Sequence, residues 1–509
     1  MLKCAYTIFV PRLVDFNNRR AGVLLPVFSL PSPYGIGTLG KAAFEFVDFL
    51  SDSGNTYWQM LPLNPTSYGD SPYSSPSSMA GNPYFIDLDI LIEEGLLVKD
   101  DIGALNKQKT KEIDYELLYN TLPLILEKAF NNFKIDNDFL AFLKNNEYWL
   151  NDYSLFMALK EIEPQKIWTN WGDALKQRKP PALKQAKEKL QQRIYYYNFL
   201  QYQFFKQWKK LKEYANKKDI YLIGDIPIYV ALDSADVWAN PNLFELDGNL
   251  KPKRVAGCPP DYFSKDGQLW GNPLYNWQAH KASGYEWWLK RLGHNLKMFD
   301  ALRIDHFRGF AEYYSIPASD NTAKNGTWVQ GPGKDFIKVV NEWFNSPPII
   351  AEDLGYMTKS VRDLLDFSGY PGMRVLSFGF NGNDGKSEHL PHNYYANLAV
   401  YTGTHDNDTA VGTYKLAART QKKAMRNYLG LAHGKEIGGQ FARSILTSVA
   451  NTAIVPMQDY LNLDSSARVN TPSTLGGGNW KWRLSEGDVS TTLAIKIKEL
   501  IILSGRDSL

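Results

Sequence analysis

At 509 residues the chain has room for one heavily decorated domain or about three ordinary ones, and its 44% hydrophobic and 22% charged residues are an ordinary globular balance. A net charge of +3 with no sustained basic face excludes a nucleic-acid footprint, and two cysteines, Cys4 and Cys258, exclude a disulfide framework. Residues 1–20 hold one short apolar run at 5–10, too little for a secretory signal or a membrane span, so a cytoplasmic protein with no membrane partner is expected.

Taken in chain order, eight short apolar runs stand out, at 22–28, 56–63, 220–230, 300–307, 348–354, 373–380, 399–405 and 452–458. Helical periodicity follows several of them, at 42–50, 361–365 and 420–429. Alternating buried strands and helices predict an α/β chain, a (β/α)₈ TIM barrel. The spacing is uneven, because more than 150 residues separate the second run from the third. Helical runs at 116–130, 151–161 and 182–212 make that stretch an insertion over the C-terminal face of the barrel. The expected layout is an N-terminal extension at 1–21 and a catalytic barrel at 22–509. It carries a helical insertion at about 65–219 and a loop insertion at about 231–276.

Aromatic residues reach 14%, and many lie in polar, Pro/Gly-rich loops where a core role is awkward. Tyr73, Tyr262 and Trp270 sit in such loops. Ring faces there suit the C–H faces of sugars, whose hydroxyls bond around the rim.

Barrels of this type do chemistry at the C-terminal ends of their strands. Asp225, Asp305, Glu352 with Asp353, and Asp406 fall at or near such ends, on the third, fourth, fifth and seventh runs. One acid at a strand end is commonly a cap or ion-pair partner, but four converging on one face cost energy unless function uses them. Glycosidic bond cleavage needs one protonated and one ionised carboxyl. Arg303, two residues before Asp305 on the same strand face, can hold Asp305 ionised and aimed, which makes Asp305 the nucleophile and Glu352 the acid/base. Asp406, beside His405, can grip the hydroxyls next to the reacting carbon.

Other motifs carry less. His389-x-x-His392 lacks a third ligand and reads as surface histidines, so no metal is expected. Gly35-Ile-Gly-Thr-Leu-Gly40 fits the dinucleotide pattern, but a Pro-rich loop parts it from the preceding strand and no acid closes the second run. It reads as a loop-to-helix turn, with no cofactor implied. Gly476-Gly-Gly478 lacks the Lys-Ser/Thr of a phosphate loop and simply turns the chain.

The segments Ala301-Leu-Arg-Ile-Asp-His-Phe-Arg-Gly-Phe310, Ala351-Glu-Asp-Leu-Gly355 and Gly403-Thr-His-Asp-Asn-Asp408 resemble the catalytic segments of the α-amylase clan. Gly22-Val-Leu-Leu-Pro26, Tyr34-Gly-Ile-Gly37, Trp58-Gln-Met-Leu-Pro-Leu63 and Ser71-Pro-Tyr73 narrow the likeness to the amylomaltases, or 4-α-glucanotransferases. Ala80-Gly-Asn-Pro83, Ala256-Gly-Cys-Pro-Pro-Asp-Tyr-Phe263 and Trp270-Gly-Asn-Pro-Leu-Tyr275 add to it, so the motifs run over nearly the whole chain.

The resemblance implies transfer of α-1,4-glucan segments between maltooligosaccharides or starch-like chains by a retaining mechanism. Asp305 would be nucleophile, Glu352 acid/base and Asp406 the stabilising acid. Arg303, His405 and Asp225 would surround the sugar before the cleaved bond. The loop of Pro260, Asp261 and Tyr262 would arch over the site, and Trp270 and Tyr73 would contact glucan. No Asn-His pair follows Asp225, unlike typical amylases, which removes a common calcium-site element. The loop after the eighth run departs from the usual Arg-Met-Asn-x-Pro-Gly, reading Arg468-Val-Asn-Thr-Pro-Ser473. A hydrolase would use the same residues with water as acceptor, and a non-catalytic glycan-binding barrel would be expected to have lost the three acids first.

Overall fold

The computed structural model describes residues 14–507 apart from Tyr68, residues 106–109, Gln165, and residues 261–263, 383–384 and 432–435. In chain order its strands are β1 (Arg20–Leu24), β2 (Tyr57–Gln59), β3 (Tyr221–Pro227), β4 (Arg254–Cys258), β5 (Gln268–Pro273) and β6 (Ala301–Asp305). There follow β7 (Glu312–Pro317), β8 (Thr327–Gln330), β9 (Ile349–Ala351), β10 (Gly372–Val375), β11 (Leu398–Tyr401) and β12 (Thr452–Pro456).

Eight of these, in the order β1-β12-β11-β10-β9-β6-β3-β2, close into a parallel barrel, a (β/α)₈ TIM barrel. Each barrel strand lies within two residues of the start of an apolar run read from the sequence. The strands are buried on both faces, as a closed sheet ringed by helices requires. Gly224 fits this crowding, because a Cβ there would come within 2.3 Å of the Phe299 ring. Inside the barrel the Tyr401 hydroxyl donates to Gln59 at 2.8 Å, which satisfies two buried polar groups.

The helix after β1, Lys41–Asp52, buries Phe46, Val47, Phe49 and Leu50, and Phe46 meets Trp58 of β2 edge-on at 4.9 Å. Gly40 is its N-cap. The Gly35-to-Gly40 motif is a packing turn: a Cβ on Gly37 would meet the Val27 carbonyl at 1.8 Å, and Thr38 donates to Asp87 at 2.6 Å.

Between β2 and β3 run Tyr115–Asn132, Asn137–Ile162, Pro180–Lys189 and Gln191–Lys217. The helical run read at 182–212 is broken at Leu190, which caps one helix and starts the next. Phe139, Trp149, Tyr202 and Phe205 interlock the long helices. From the last helix, Gln201 bonds both backbone groups of Gly81 and Gln207 both of Asp87, so the loop beyond β2 is held without a strand partner.

A second sheet went unread in the sequence. It is antiparallel, with order β5-β4-β7-β8. The seam of the barrel joins β1 to β12 from Arg20↔Thr452 to Leu24↔Pro456. Buried Arg506 braces it, donating to carbonyls of Arg20, Leu446, Ala450 and Asn451. No helix among the described residues is long and apolar enough to cross a membrane.

Candidate active site

Asp305 is the last residue of β6, and Glu352 directly follows β9 on the neighbouring strand. Asp225 sits within β3, the strand on the other side, where it is the register partner of Arg303. Adjacent parallel strands therefore carry Asp225, Arg303 with Asp305, and Glu352 side by side.

Arg303 is the hinge of the group. One Nη donates to Asp225 Oδ2 at 2.6 Å and the other to Asp305 Oδ1 at 2.8 Å. Asp225 Oδ2 also accepts the Tyr73 hydroxyl at 2.6 Å, while its buried Oδ1 takes no hydrogen bond among the described residues. An orphaned buried carboxylate oxygen costs energy, and a donor hydroxyl from a ligand would satisfy it. Burial pushes the Tyr73 hydroxyl well up, so it stays a proton donor.

Glu352 is held differently. Its Oε2 accepts the His306 backbone N–H and its Oε1 that of Leu354, both at 2.7 Å. His306 takes a left-handed backbone at φ 53°, an uncommon state for a non-glycine residue, and this turn delivers its N–H to Glu352. Burial, reinforced by the Asp305 charge, pushes Glu352 up to about 8. Burial also raises Asp305, and Arg303 pulls against it. The expected sign of the Arg303 interaction is present, but burial and the carboxylates of Asp225 and Asp406 outweigh it. Among the described residues Asp305 has a bonded cation and Glu352 has none, so Glu352 is the better proton donor of the two.

Asp406 lies on the loop beyond β11. Its Oδ1 accepts Asn470 Nδ2 at 2.6 Å and faces His405 Nε2 at 3.4 Å. Arg468 clamps the same loop through the Asp406 carbonyl at 2.8 Å. Asp459 ties the loop from below, accepting from Thr402 Oγ1 at 2.5 Å and Ala410 N at 2.7 Å. The His405 ring stacks on Tyr73, with centroids 5.1 Å apart and planes 15° apart.

The structure thus brings together Tyr73, Asp225, Arg303, Asp305, His405 and Asp406, with Glu352 joined through His306. Trp270, on β5, meets the His306 ring edge-on at 4.9 Å and leaves about a third of its surface exposed. Asp261 and Tyr262 lie outside the described residues. Asp353 turns away, binding Arg374 at 2.9 Å and Met373 N at 2.6 Å as a barrel brace.

Three contributors escaped sequence reasoning. Trp480 lies 6.0 Å from both Tyr73 and His405, delivered by a turn in which Gly476, Gly477 and Gly478 all have positive φ. His306 contributes a backbone N–H, which leaves no mark in sequence. Asn470 could have been found from the Arg468-to-Ser473 motif, which singles it out beside the strand-eight end. Of the two expected surface histidines, His392 is exposed and meets the Tyr428 hydroxyl at 2.8 Å, whereas His389 is half-buried and accepts from Val375 N at the end of β10 at 3.1 Å.

Known proteins share this sequence and fold. Residues 25–490 match glycoside hydrolase family 77, described as 4-alpha-glucanotransferase. The 4-alpha-glucanotransferase of Clostridium butyricum is 48% identical, covering 94% of this chain and 99% of that protein. That of Aquifex aeolicus is 48% identical over 96% of this chain and 100% of its own. The amylomaltase of Streptococcus agalactiae, solved in complex with acarbose, superposes with a TM-score of 0.93 at 42% identity, over 96% of this chain and 100% of that one. With a family match over most of its length and relatives similar end to end, the chain belongs to the 4-alpha-glucanotransferase family.

Proposed function

We propose that the chain, a 4-α-glucanotransferase, moves α-1,4-glucan segments by double displacement, with Asp305 as nucleophile and Glu352 as acid/base. The observation that carries the assignment is the contrast between the two carboxyls. Arg303 bonds Asp305 at 2.8 Å, whereas Glu352 among the described residues has only backbone N–H partners and is pushed up to about 8.

Ionised Asp305 attacks the anomeric carbon of the donor. The bond to the leaving sugar oxygen breaks as Glu352 passes its proton to that oxygen, leaving a glucosyl ester on Asp305. Glu352, now ionised, takes the proton from the 4-hydroxyl of an incoming glucan. That oxygen attacks the anomeric carbon, expels Asp305, and restores the original configuration.

Asp225, Arg303 and His405 bind the sugar before the cleaved bond, and the free Asp225 Oδ1 accepts one of its hydroxyls. Asp406, aimed by Asn470, strengthens its bonds to the hydroxyls as the ring flattens. Tyr73 and Trp270 offer ring faces to the chain. Asp261 and Tyr262 are assigned the covering loop on sequence alone.

Pure maltotriose tests the reaction. Transfer gives glucose with maltopentaose and a longer ladder while total reducing ends stay constant. Reducing ends that climb in step with glucose would make the chain a hydrolase.

A further inference from the structure

Two exposed aromatic side chains outside the site just assigned are tied to it through the turn that leaves β6. Trp328 on β8 is 40% exposed and Tyr356 is 76% exposed. Both meet Arg308, three residues beyond Asp305. Its guanidinium lies 4.0 Å over the Trp328 ring and donates to the Tyr356 carbonyl. The same turn holds Glu352 through His306 N, and Tyr356 follows Glu352 by four residues.

Isolated exposed rings are ordinary on protein surfaces. Trp328 is fixed, which is less ordinary, and Tyr356 is anchored through its backbone carbonyl. Arg308 covers one face of Trp328 and Tyr314 meets its edge at 5.2 Å, so the exposed remainder is a held face. Arg308 is itself buried and, among the described residues, pairs with Glu312 at 3.7 Å besides its bond to Tyr356. All of β8 is exposed, and Gln330, two residues beyond Trp328 on the same strand face, places an amide beside the ring. A rigid ring face bordered by an amide suits a glucan, whose sugars present C–H faces bordered by hydroxyls. Little ordering entropy is lost when such a surface binds.

We infer that Trp328 and Tyr356 form a stacking platform for the distal sugars of the leaving and acceptor chains, and so give the enzyme a preference for longer α-1,4-glucans. The inference rests on the proposed role of Glu352. The acid/base acts on the oxygen of the leaving and incoming chains, and the platform is attached to its side of the site. The cluster of Asp225, Arg303 and His405 serves the other side of the cleaved bond.

The test compares kcat/KM for maltoheptaose and maltotriose in wild type, Tyr356→Ser and Trp328→Ala. Maltotriose is the shorter of the two chains and draws least on distal sugars. The maltoheptaose-to-maltotriose ratio should fall about five- to tenfold in each variant, the factor that about 1–1.4 kcal/mol of binding carries, and the change should sit in KM. Tyr356→Ser removes only an exposed side chain, so it reads the platform even if Trp328→Ala disturbs Arg308. An unchanged ratio in Tyr356→Ser overturns the inference, as does an equal loss on both substrates carried by kcat. Reducing-end balance in wild type on maltotriose reports transfer itself, so failure of the proposed reaction is read separately from failure of the platform.

Discussion

Asp225 and Arg303 face each other across adjacent parallel strands and form a 2.6 Å ion pair with both side chains almost wholly buried. Arg303 is thereby committed as a fork, one tine on Asp225 and the other on Asp305. A lysine has no planar fork and can neutralise only one partner at a time. Arg303→Lys should lower kcat/KM about 100-fold, the scale of a misplaced reacting group. Arg303→Met leaves Asp225 buried without its cation and should lower unfolding free energy by about 3–5 kcal/mol. Denaturant titration at neutral pH checks the second value; a midpoint equal to wild type would remove the pair from any structural role.

Replacing the attacking carboxylate isolates the nucleophile. Asp305→Asn keeps the shape of the side chain, so the fold should persist while transfer falls on the order of 10⁴-fold. Circular dichroism and single-turnover rates on maltotriose check both halves. Rates like those of wild type would move the nucleophile to another carboxylate, with Asp406 first in line.

Glu352 makes the pH dependence signed. Its proton is required for departure of the leaving sugar, so transfer should decline as pH rises through about 8. Stability moves the same way. Above its ordinary value of 4.5 the unfolded chain releases this proton and the folded chain keeps it up to about 8, so stability falls across that window and levels off above it. Glu352→Gln does not titrate. Its stability relative to wild type should grow across the window by about 5 kcal/mol, the linkage of that shift. Paired melting curves at pH 5 and pH 8.5 measure this, and a constant difference would return Glu352 to an ordinary carboxyl.

Chelation supplies the last check. Among the described residues no three His, Cys, Asp or Glu side chains cluster as a metal site, and the proposed steps run on carboxylates alone. Prolonged treatment with a strong chelator should leave rate and melting temperature unchanged. Loss of either, restored by one divalent ion, would locate a metal the mechanism needs.

The barrel was legible because its strands are apolar on both faces, which leaves continuous runs. The same property blurred their ends. The run at 373–380 stops being strand at Val375, and Leu376–Phe380 continues as a 3₁₀ helix that is almost as buried. The antiparallel sheet was hidden for the opposite reason: β8 is exposed throughout and β5 runs exposed from Leu269 to Gly271, so neither shows alternation. In the site, charged side chains at strand ends announced Asp225, Arg303, Asp305 and Glu352. The Trp480 contact spans about four hundred residues to Tyr73, and the N–H groups that hold Glu352 belong to the backbone, which every residue shares.

The seam between β1 and β12 sets a schedule for biosynthesis. β1 has two neighbours; β2 follows within about 35 residues, but β12 is made more than 400 residues later. At ribosomal rates of about 5–20 residues per second, one edge of β1 waits roughly 20 to 90 seconds for its partner. During that interval an apolar strand edge is open to other chains. Arg506, which locks the seam, emerges later still. The nascent barrel is therefore a natural client for chaperones that shield strand edges, and its yield in fast, crowded expression should be limited by closure rather than by the stability of the finished fold.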